Sequence, residues 1–207
     1  MNIQQWESWL KSEIKGNVDI VVSYLKDGDT FVDVGGNTGI FTQMVLEQRN
    51  LSKVALFEPI PYLVEECRLK FDNDDRVVVN ELALSETKDE SVIIASKQNL
   101  GYNKIYKEGM LMHSHEKFTI QLDTFTNWIS DKNIDKVHFI KVDAEGHDIN
   151  VIRGMFDWMT KTNNRPYILF EINWYKDLEQ ELISDLQNIF GYNSIQYKRD
   201  VLLTPPQ

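Results

Sequence analysis

The chain has 207 residues, of which 42% are hydrophobic and 26% charged, a composition that fits one sizeable globular domain and excludes a disordered protein. Its formal net charge is −10 at pH 7 and it has no extended basic cluster, so we expect no nucleic-acid partner. The single cysteine, Cys67, cannot form an internal disulfide, which favours a reducing compartment. No apolar stretch approaches the roughly 18 residues of a membrane span, and the polar N-terminus lacks the apolar core of a signal peptide. We therefore expect a cytoplasmic protein without membrane insertion.

Strand-like and helix-like segments alternate along most of the chain. Residues 1–27 carry apolar side chains at helical spacing and form an N-terminal helical segment, with a break predicted near Gly16-Asn17. The predicted strands are Thr30–Val34, Lys53–Phe57, Arg76–Asn80, Val137–Val142 and Tyr167–Glu171. The predicted helices are Gly39–Gln48, Pro61–Phe71, Asp123–Ser130, Asp148–Trp158 and Leu178–Phe190. This alternation predicts an α/β fold, with a parallel sheet, helices on both faces and an antiparallel pair of strands formed by Tyr192–Tyr197 and Val201–Leu203 at one edge.

Residues 96–117 interrupt this alternation, although the whole chain, 1–207, is expected to form a single domain. The segment contains glycines, aromatic residues and histidines without a clear period, and an insert of this length is typically a lid or a binding loop. We interpret it as a candidate substrate lid. The candidate substrate-binding residues, which could contact an acceptor ring or simply cover the edge of the core, are Tyr102, Tyr106, His115 and Trp174.

Carboxylates stand at the ends of the predicted parallel strands, where ligands of open parallel sheets bind. The stretch FVDVGGNTGIFT carries Asp33 ahead of glycines at positions 35, 36 and 39, a spacing that differs from the G-x-G-x-x-G pattern of a dinucleotide site. Asp33 would repel a pyrophosphate, so a ligand with a cationic amino-acid end and no phosphate fits better, and we predict S-adenosylmethionine. Glu58, at the end of the second strand, would then accept two hydrogen bonds from the ribose hydroxyls.

Six segments occur in an order that resembles the FkbM-type family of S-adenosylmethionine-dependent methyltransferases: FVDVGGNTGIFT, LFEPIP, NELALSE, LDTF, FIKVDAEGHDINVIRG and ILFEIN. The resemblance spans residues 30–172. It implies the class I methyltransferase (Rossmann-like) fold, with a seven-stranded, mostly parallel sheet and the cofactor over the first two strand ends. It also implies methyl transfer, usually to a hydroxyl oxygen, and many relatives act on sugars.

We therefore expect an O-methyltransferase that acts on a sugar hydroxyl of a glycan or a glycosylated metabolite, for example on a deoxysugar such as rhamnose or fucose. The resemblance does not extend to the acceptor. A non-sugar small molecule, a protein acceptor and a non-catalytic module that retains the fold stay open as alternatives. S-adenosylhomocysteine (SAH) would be the product. The predicted cofactor contacts are Asp33, Gly35, Gly36, Asn37, Gly39, Glu58, Pro59, Ala83, Leu84 and Asp143, although Ala83 and Leu84 fit core packing equally well.

The predicted catalytic residues lie near the fourth parallel strand. Strand alternation puts Lys141 and Asp143 on one side, with Asp143 at the strand end beside the expected position of the methyl group. For Lys141 an ion pair with Glu171 on the next strand is favoured over a catalytic role. The candidate catalytic residues are Asp143, Glu145, His147, Glu171 and Lys141. A divalent metal held by Asp143, Glu145 and Glu171 is an alternative that we do not expect.

Overall fold

The computed structural model describes residues 3–95, 103–105, 116–132, 134–172 and 175–206. The helices in these ranges are α1 (Ile3–Tyr24), α2 (Ile40–Leu46), α3 (Pro61–Lys70), α4 (Phe125–Ile129), α5 (Asp148–Arg153), α6 (Phe156–Thr162) and α7 (Lys176–Phe190). The strands are β1 (Thr30–Val34), β2 (Lys53–Phe57), β3 (Val77–Asn80), β4 (Ala83–Leu84), β5 (Asp89–Ala95), β6 (Lys104–Ile105), β7 (Glu116–Asp123), β8 (Phe139–Val142), β9 (Tyr167–Glu171), β10 (Asn193–Tyr197) and β11 (Asp200–Thr204). None of the helices within the described ranges is long and apolar enough to cross a lipid bilayer.

Seven strands form the main sheet, in the order β10-β11-β9-β8-β1-β2-β3. The strands β3, β2, β1, β8 and β9 run parallel, whereas β11 is antiparallel to both β9 and β10. The predicted seven-stranded, mostly parallel sheet with an antiparallel edge is therefore confirmed. Its strand order reverses between β1 and β8, and in such sheets the carboxyl ends of these two strands flank the ligand-binding crevice.

Alternate side chains of the central strands serve two separate cores. On β8, Ile140 and Val142 pack with Val32 and Val34 of β1 on one face of the sheet, while Phe139 packs with Phe31 and α1 on the other. This is the alternation expected for a strand covered on both faces. It follows that Asp33 and Lys141 face the layer that contains α1 and α2.

Two predictions about where helices are interrupted are wrong. Helix α1 continues through Gly16 and Asn17 without the expected break, because burial of Val18, Val21 and Leu25 against the sheet outweighs the roughly 1 kcal/mol that a glycine costs inside a helix. The predicted helix Asp148–Trp158 is two helices, α5 and α6, separated at Gly154. A Cβ atom at that glycine would lie 2.0 Å from the Ser85 carbonyl oxygen, so the close approach of the segment after β4 requires a glycine there.

A second sheet, which was not predicted from the sequence, has four strands in the order β4-β7-β5-β6. Antiparallel pairing of β5 with β7 runs from Asp89↔Leu122 to Ala95↔Glu116. One face of this sheet packs on the start of α3 through Ile93 and Ile120, which contact Ile60 and Leu63. Of the insert predicted to be irregular, residues 104–105 are β6 and residues 116–117 begin β7.

Candidate functional site

A cavity of about 430 Å³ opens at the carboxyl ends of the main sheet's strands. Its lining comes from the loops after β1, β2, β3 and β8, from the end of β9, from α1, α2 and α5, from β4, β5 and β6 of the second sheet, and from the turn between β10 and β11. The predicted site residues that line it are Gly35, Gly36, Asn37, Glu58, Pro59, Ala83, Leu84, Lys141, Asp143, Glu145, His147 and Glu171. One cavity therefore brings together all the predicted catalytic residues and most of the predicted cofactor contacts.

Six of the predicted site residues are not among the observed lining residues of the cavity. Tyr102, Tyr106, His115 and Trp174, the predicted acceptor contacts, lie outside the described residues. Asp33 and Gly39 are described, and neither is among the lining residues of the cavity. Gly39 instead packs against α3, where an added Cβ would lie 2.8 Å from the Phe71 ring and 3.3 Å from Cys67 Sγ.

The loop between β1 and α2 is pressed tightly between its neighbours. The backbone N–H groups of Gly35 and Gly36 both donate to the Phe57 carbonyl, at 3.0 and 2.9 Å. Gly35 has a φ of +75°, and a Cβ atom there would lie 1.9 Å from the Asp143 carbonyl oxygen. A left-handed conformation and a close backbone approach thus both require glycine at this position. The loop presents bare backbone to the cavity between the ends of β2 and β8.

Asp33 and Lys141 form an ion pair beneath the cavity. They are directly opposite each other in the register of β1 and β8, and Lys141 Nζ lies 3.1 Å from Asp33 Oδ1. The Asp33 side chain is fully buried, and its Oδ2 accepts a hydrogen bond from Thr42 Oγ1 at 2.7 Å. Asp33 is therefore part of the support below the cavity.

Lys141 also connects this pair to the cavity itself. Its Nζ lies 3.5 Å from Asp143 Oδ2 and donates to the Gly35 carbonyl at 3.1 Å. Burial by itself would lower the pKa of Lys141, but the carboxylates of Asp33 and Asp143 outweigh burial and raise the pKa above that of a free lysine. A permanently charged ammonium group thus holds together the ends of β1 and β8.

The predicted ion pair between Lys141 and Glu171 is wrong. On β9 the residue beside Lys141 in the register is Leu169, so Glu171 lies two residues farther along that strand. On the other side of β8, the parallel strand β1 has Asp33 directly opposite Lys141 in the register. The side chains of directly opposite residues lie close enough to interact. Glu171 instead lines the cavity from the end of β9.

Glu58 joins the loops that follow β1 and β2. Its Oε2 accepts from the Asn37 backbone N–H and its Oε1 from that of Ile60, both at 2.9 Å. The side chain is nearly fully buried, and this burial raises the pKa of Glu58 to about 7 although the two backbone donors and Lys141 act to lower it. Each carboxylate oxygen has a second lone pair, so the carboxylate can still accept from a ligand in the cavity.

The loop between β8 and α5, with the sequence DAEGH, is folded by Asp148. The two oxygens of this buried carboxylate accept from the backbone N–H groups of Ala144 and Gly146, at 3.2 and 3.1 Å. His147 occupies the N-cap position of α5, and Asp148, its first residue, reaches back into the loop. Glu145 and Gly146 both have left-handed backbones, with φ of +51° and +90°.

The loop exposes two titratable side chains to the cavity. Burial first, and then the nearby carboxylates of Asp143 and Glu171, raise the pKa of Glu145 to about 8. His147 Nε2 lies 3.0 Å from Ser85 Oγ, which orients its imidazole ring. A residue in a strained backbone conformation with a shifted pKa inside a cavity is typical of a reaction centre.

Several lining residues were not predicted. Trp9, Leu10 and Ile14 of α1 form one wall, and Arg199 comes from the turn between β10 and β11. A signal for Trp9 was present in the sequence, because this tryptophan lies off the apolar helical face to which Leu10 and Ile14 belong. Nothing in the sequence brings Arg199 to the cavity, since the position of that turn depends on how β11 pairs with β9.

The cavity fits an adenosyl ligand with a cationic end. Apolar side chains of the second sheet line one part of it, including Leu84, Ile93 and Ile105, and the Glu58 carboxylate also lines the cavity. Thr38 also lines it, and within the described ranges its buried Oγ1 has no hydrogen-bond partner, so it could bond to a polar ligand atom. Among the described residues, no group of three or more His, Cys, Asp or Glu side chains is arranged to hold a metal ion.

Comparison with known proteins relates both the sequence and the fold to methyltransferases. A family model, Methyltransferase FkbM domain, matches residues 33–198. The hexuronic acid methyltransferase AglP of Haloferax volcanii is 25% identical over 175 residues, which make up 81% of this chain and 66% of that protein. The chain therefore spans about two thirds of the length of this relative.

Two solved structures have the same fold. A methyltransferase FkbM from Methylobacillus flagellatus KT superposes with a TM-score of 0.61 at 13% identity, over 87% of this chain and 44% of that chain. A protein from Streptococcus mutans in complex with SAH superposes with a TM-score of 0.55 at 9% identity, over 93% of this chain and 97% of that chain. These similarities confirm the predicted class I methyltransferase fold.

Proposed function

Because the chain belongs to the methyltransferase FkbM domain family, whose model matches residues 33–198, we propose that it transfers a methyl group from S-adenosylmethionine to a hydroxyl of a sugar, in a glycan or a glycosylated metabolite. The observation that carries this proposal is the composition of one cavity, in which the buried Glu58 carboxylate stands beside apolar walls and Asp143, Glu145 and Glu171 supply further carboxylates. The name of the Haloferax volcanii relative, a hexuronic acid methyltransferase, supports a sugar acceptor. The SAH complex of the Streptococcus mutans protein supports the cofactor.

In this proposal Glu58 binds the ribose hydroxyls, and the bare backbone at Gly35 and Gly36 lets the methionine portion approach the ends of β1 and β8. Asp143 attracts its cationic groups, and the apolar side chains around Ala83 and Leu84 enclose the adenine. When bound, the cofactor supplies an electrophilic methyl group. The remaining requirement is a group that removes the proton of the acceptor hydroxyl and a cavity that orients this hydroxyl, since positioning can supply roughly 7–11 kcal/mol of the barrier.

Glu145 is the proton acceptor in this proposal. It lines the cavity, it has a left-handed backbone conformation, and its pKa of about 8 lies close to a working pH. The competing candidates are held by other contacts: Asp143 pairs with Lys141, and the His147 ring contacts Ser85. Glu145 is also followed by Gly146, whose flexibility permits the sharp turn that directs the carboxylate into the cavity.

The Glu145→Gln variant is expected to lose about 10²–10⁴-fold in kcat/KM, the usual contribution of a general base. In the wild type, kcat/KM should rise with pH up to about 8, because the carboxylate must be ionised to accept a proton. This rise should disappear in the variant while the affinity for SAH stays unchanged. The matched control is Glu171→Gln, which removes another carboxylate of the cavity and should keep the rise, with its midpoint moved to lower pH because the Glu171 charge helps to raise the pKa of Glu145. An unchanged pH profile in Glu145→Gln would assign the proton transfer to another residue.

The proposal as a whole is tested by titration calorimetry with SAH, followed by transfer of a tritiated methyl group from S-adenosylmethionine to pools of glycans, small phenols and proteins. Binding of SAH with labelling of the glycan pool is the expected result. Labelling confined to phenols or proteins would replace the sugar acceptor with one of those classes. Binding without any labelling would favour a non-catalytic module, and absence of SAH binding would overturn the cofactor assignment.

A further inference from the structure

The wall that α1 contributes to the cavity contains an exposed aromatic side chain. Trp9 lines the cavity together with Leu10 and Ile14, and 51% of its surface is accessible. Leu10 and Ile14 are partly buried and belong to the apolar face that continues into the core at Val18. Trp9 therefore presents an indole ring to the cavity that core packing does not require.

Contacts at the other end of this wall fix its position relative to the carboxylates. The Asn17 side chain is hydrogen-bonded to Asp200, the first residue of β11, and burial, followed by the nearby charges of Asp143 and Glu171, raises the pKa of Asp200. The part of α1 that carries Asn17 therefore lies beside the acidic groups. With a rise of about 1.5 Å per residue, Trp9 lies about 7–8 Å farther from Asn17 along the helix axis than Ile14 does.

Arg199 lines the cavity next to Asp200 and carries a positive charge that is not neutralised by an ion pair within the described part of the chain. The other permanent cation of the described lining, Lys141, already pairs with Asp33 and Asp143. A guanidinium group matches a carboxylate with two parallel hydrogen bonds. Arg199 is therefore suited to a carboxylate that enters the cavity with a ligand.

We propose that Trp9 and Arg199 form a subsite for an acceptor sugar that carries a carboxylate, with the indole ring against an apolar face of the pyranose and the guanidinium group on the carboxylate. This inference rests on the proposed function and adds the chemical class of the acceptor. Stacking of the flat C–H face of a sugar on an indole ring buries apolar surface on both partners. The carboxylates of Asp143 and Glu171 are acceptors for the hydroxyl groups of the same sugar.

One of the acidic residues that line the cavity, Glu145, is mostly uncharged near neutral pH. Burial together with the neighbouring carboxylates raises the pKa of Glu145 to about 8. Near neutral pH Glu145 therefore holds its proton for most of the time, which lowers the negative charge that the ligand meets. Arg199 faces this same region from the turn between β10 and β11.

The test uses two probes that differ only at one carbon, methyl β-glucuronoside and methyl β-glucoside, with SAH-saturated protein. Saturation-transfer NMR titrations measure the affinity for each probe independently of turnover. The wild type is expected to bind the glucuronoside about 10- to 100-fold more tightly, the range for hydrogen bonds to charged groups. Arg199→Met should remove this preference, and Arg199→Lys should retain part of it.

Trp9→Ala is expected to weaken both probes about five- to tenfold and Trp9→Phe much less, because an aromatic contact is retained. The matched control is Arg153→Met, which removes a cation that pairs with Glu181 outside the cavity, and it should change neither affinity. Calorimetry with SAH is run on every variant to show that the cofactor-binding part of the cavity is intact.

Equal affinity of the wild type for the two probes, or a preference that survives in Arg199→Met, would overturn the subsite. Unchanged affinities for both probes in Trp9→Ala would also overturn the subsite. If SAH binds and neither sugar does, the subsite is wrong while the proposed methyl transfer stands. If SAH itself does not bind, the proposed function fails, and sugar binding measured without SAH then decides the subsite separately.

Discussion

Glu58→Ala is expected to reduce the affinity for SAH by at least about 100-fold. The variant loses a carboxylate that can accept from two ribose hydroxyls, and hydrogen bonds to a charged group contribute about 1.5–3 kcal/mol each. It also leaves the backbone N–H groups of Asn37 and Ile60 without their present acceptor, so the loops after β1 and β2 lose the connection that shapes this side of the cavity. Titration calorimetry with SAH measures the effect, and unchanged binding would show that Glu58 does not contact the cofactor.

The pKa of Glu58 adds a second observable to this prediction. Burial raises it to about 7, against the opposing influence of the two backbone donors and Lys141, while Asp33 adds to the rise. Ribose hydroxyls that donate to the carboxylate favour its ionised form, so binding below pH 7 should release a proton. The affinity for SAH should therefore increase with pH up to about 7 and then level off.

Calorimetry at pH 6 in buffers with different ionisation enthalpies detects this proton directly. Glu58→Gln is the matched control, because it keeps the shape of the side chain and one acceptor oxygen but cannot titrate. It should bind SAH more weakly than the wild type at high pH and show no proton release. Proton release that persists in Glu58→Gln would identify a different group as its source.

Lys141→Met should lower the free energy of unfolding by about 3–5 kcal/mol, the usual cost of removing one partner from a buried ion pair. The substitution leaves Asp33 fully buried without its counter-ion, and the Gly35 carbonyl loses a donor at the cavity floor. Urea denaturation measures the change. The double variant Asp33→Asn with Lys141→Met should recover much of the stability, because no uncompensated charge then stays below the cavity.

Lys161→Met is the control for this experiment. Lys161 pairs with Asp157 on the surface of α6, where both side chains are largely exposed, and exposed pairs contribute about 0–1 kcal/mol. A Lys141→Met variant that is as stable as this control would show that the buried pair does not support the fold.

The main sheet could be predicted from the sequence because its strands are short apolar runs that alternate with helical patterns. TFVDV, for example, is buried at every position, as a central parallel strand should be. The carboxylates at the strand ends were predictable for the same reason, since parallel strands bring their carboxyl ends to one edge. That edge is where the cavity lies.

Other features depend on relations between distant parts of the chain. Asp33 meets Lys141 because of the register between β1 and β8, and no local pattern encodes a register between strands so far apart. The second sheet pairs β5 with β7 across a long intervening segment, so the short-turn signal of a hairpin is missing. Arg199 reaches the cavity only because β11 inserts between β9 and β10.

The cluster of Asp33, Lys141 and Asp143 has a consequence for the end of the catalytic cycle. Two carboxylates share one ammonium group there, so the cluster has an excess of negative charge next to the Gly35 loop. For the proposed methyl donor, a sulfonium cation balances this excess, whereas the thioether left after transfer carries no such charge. The two carboxylates around the buried lysine would therefore favour the cationic donor over the uncharged thioether, which would assist release of the product.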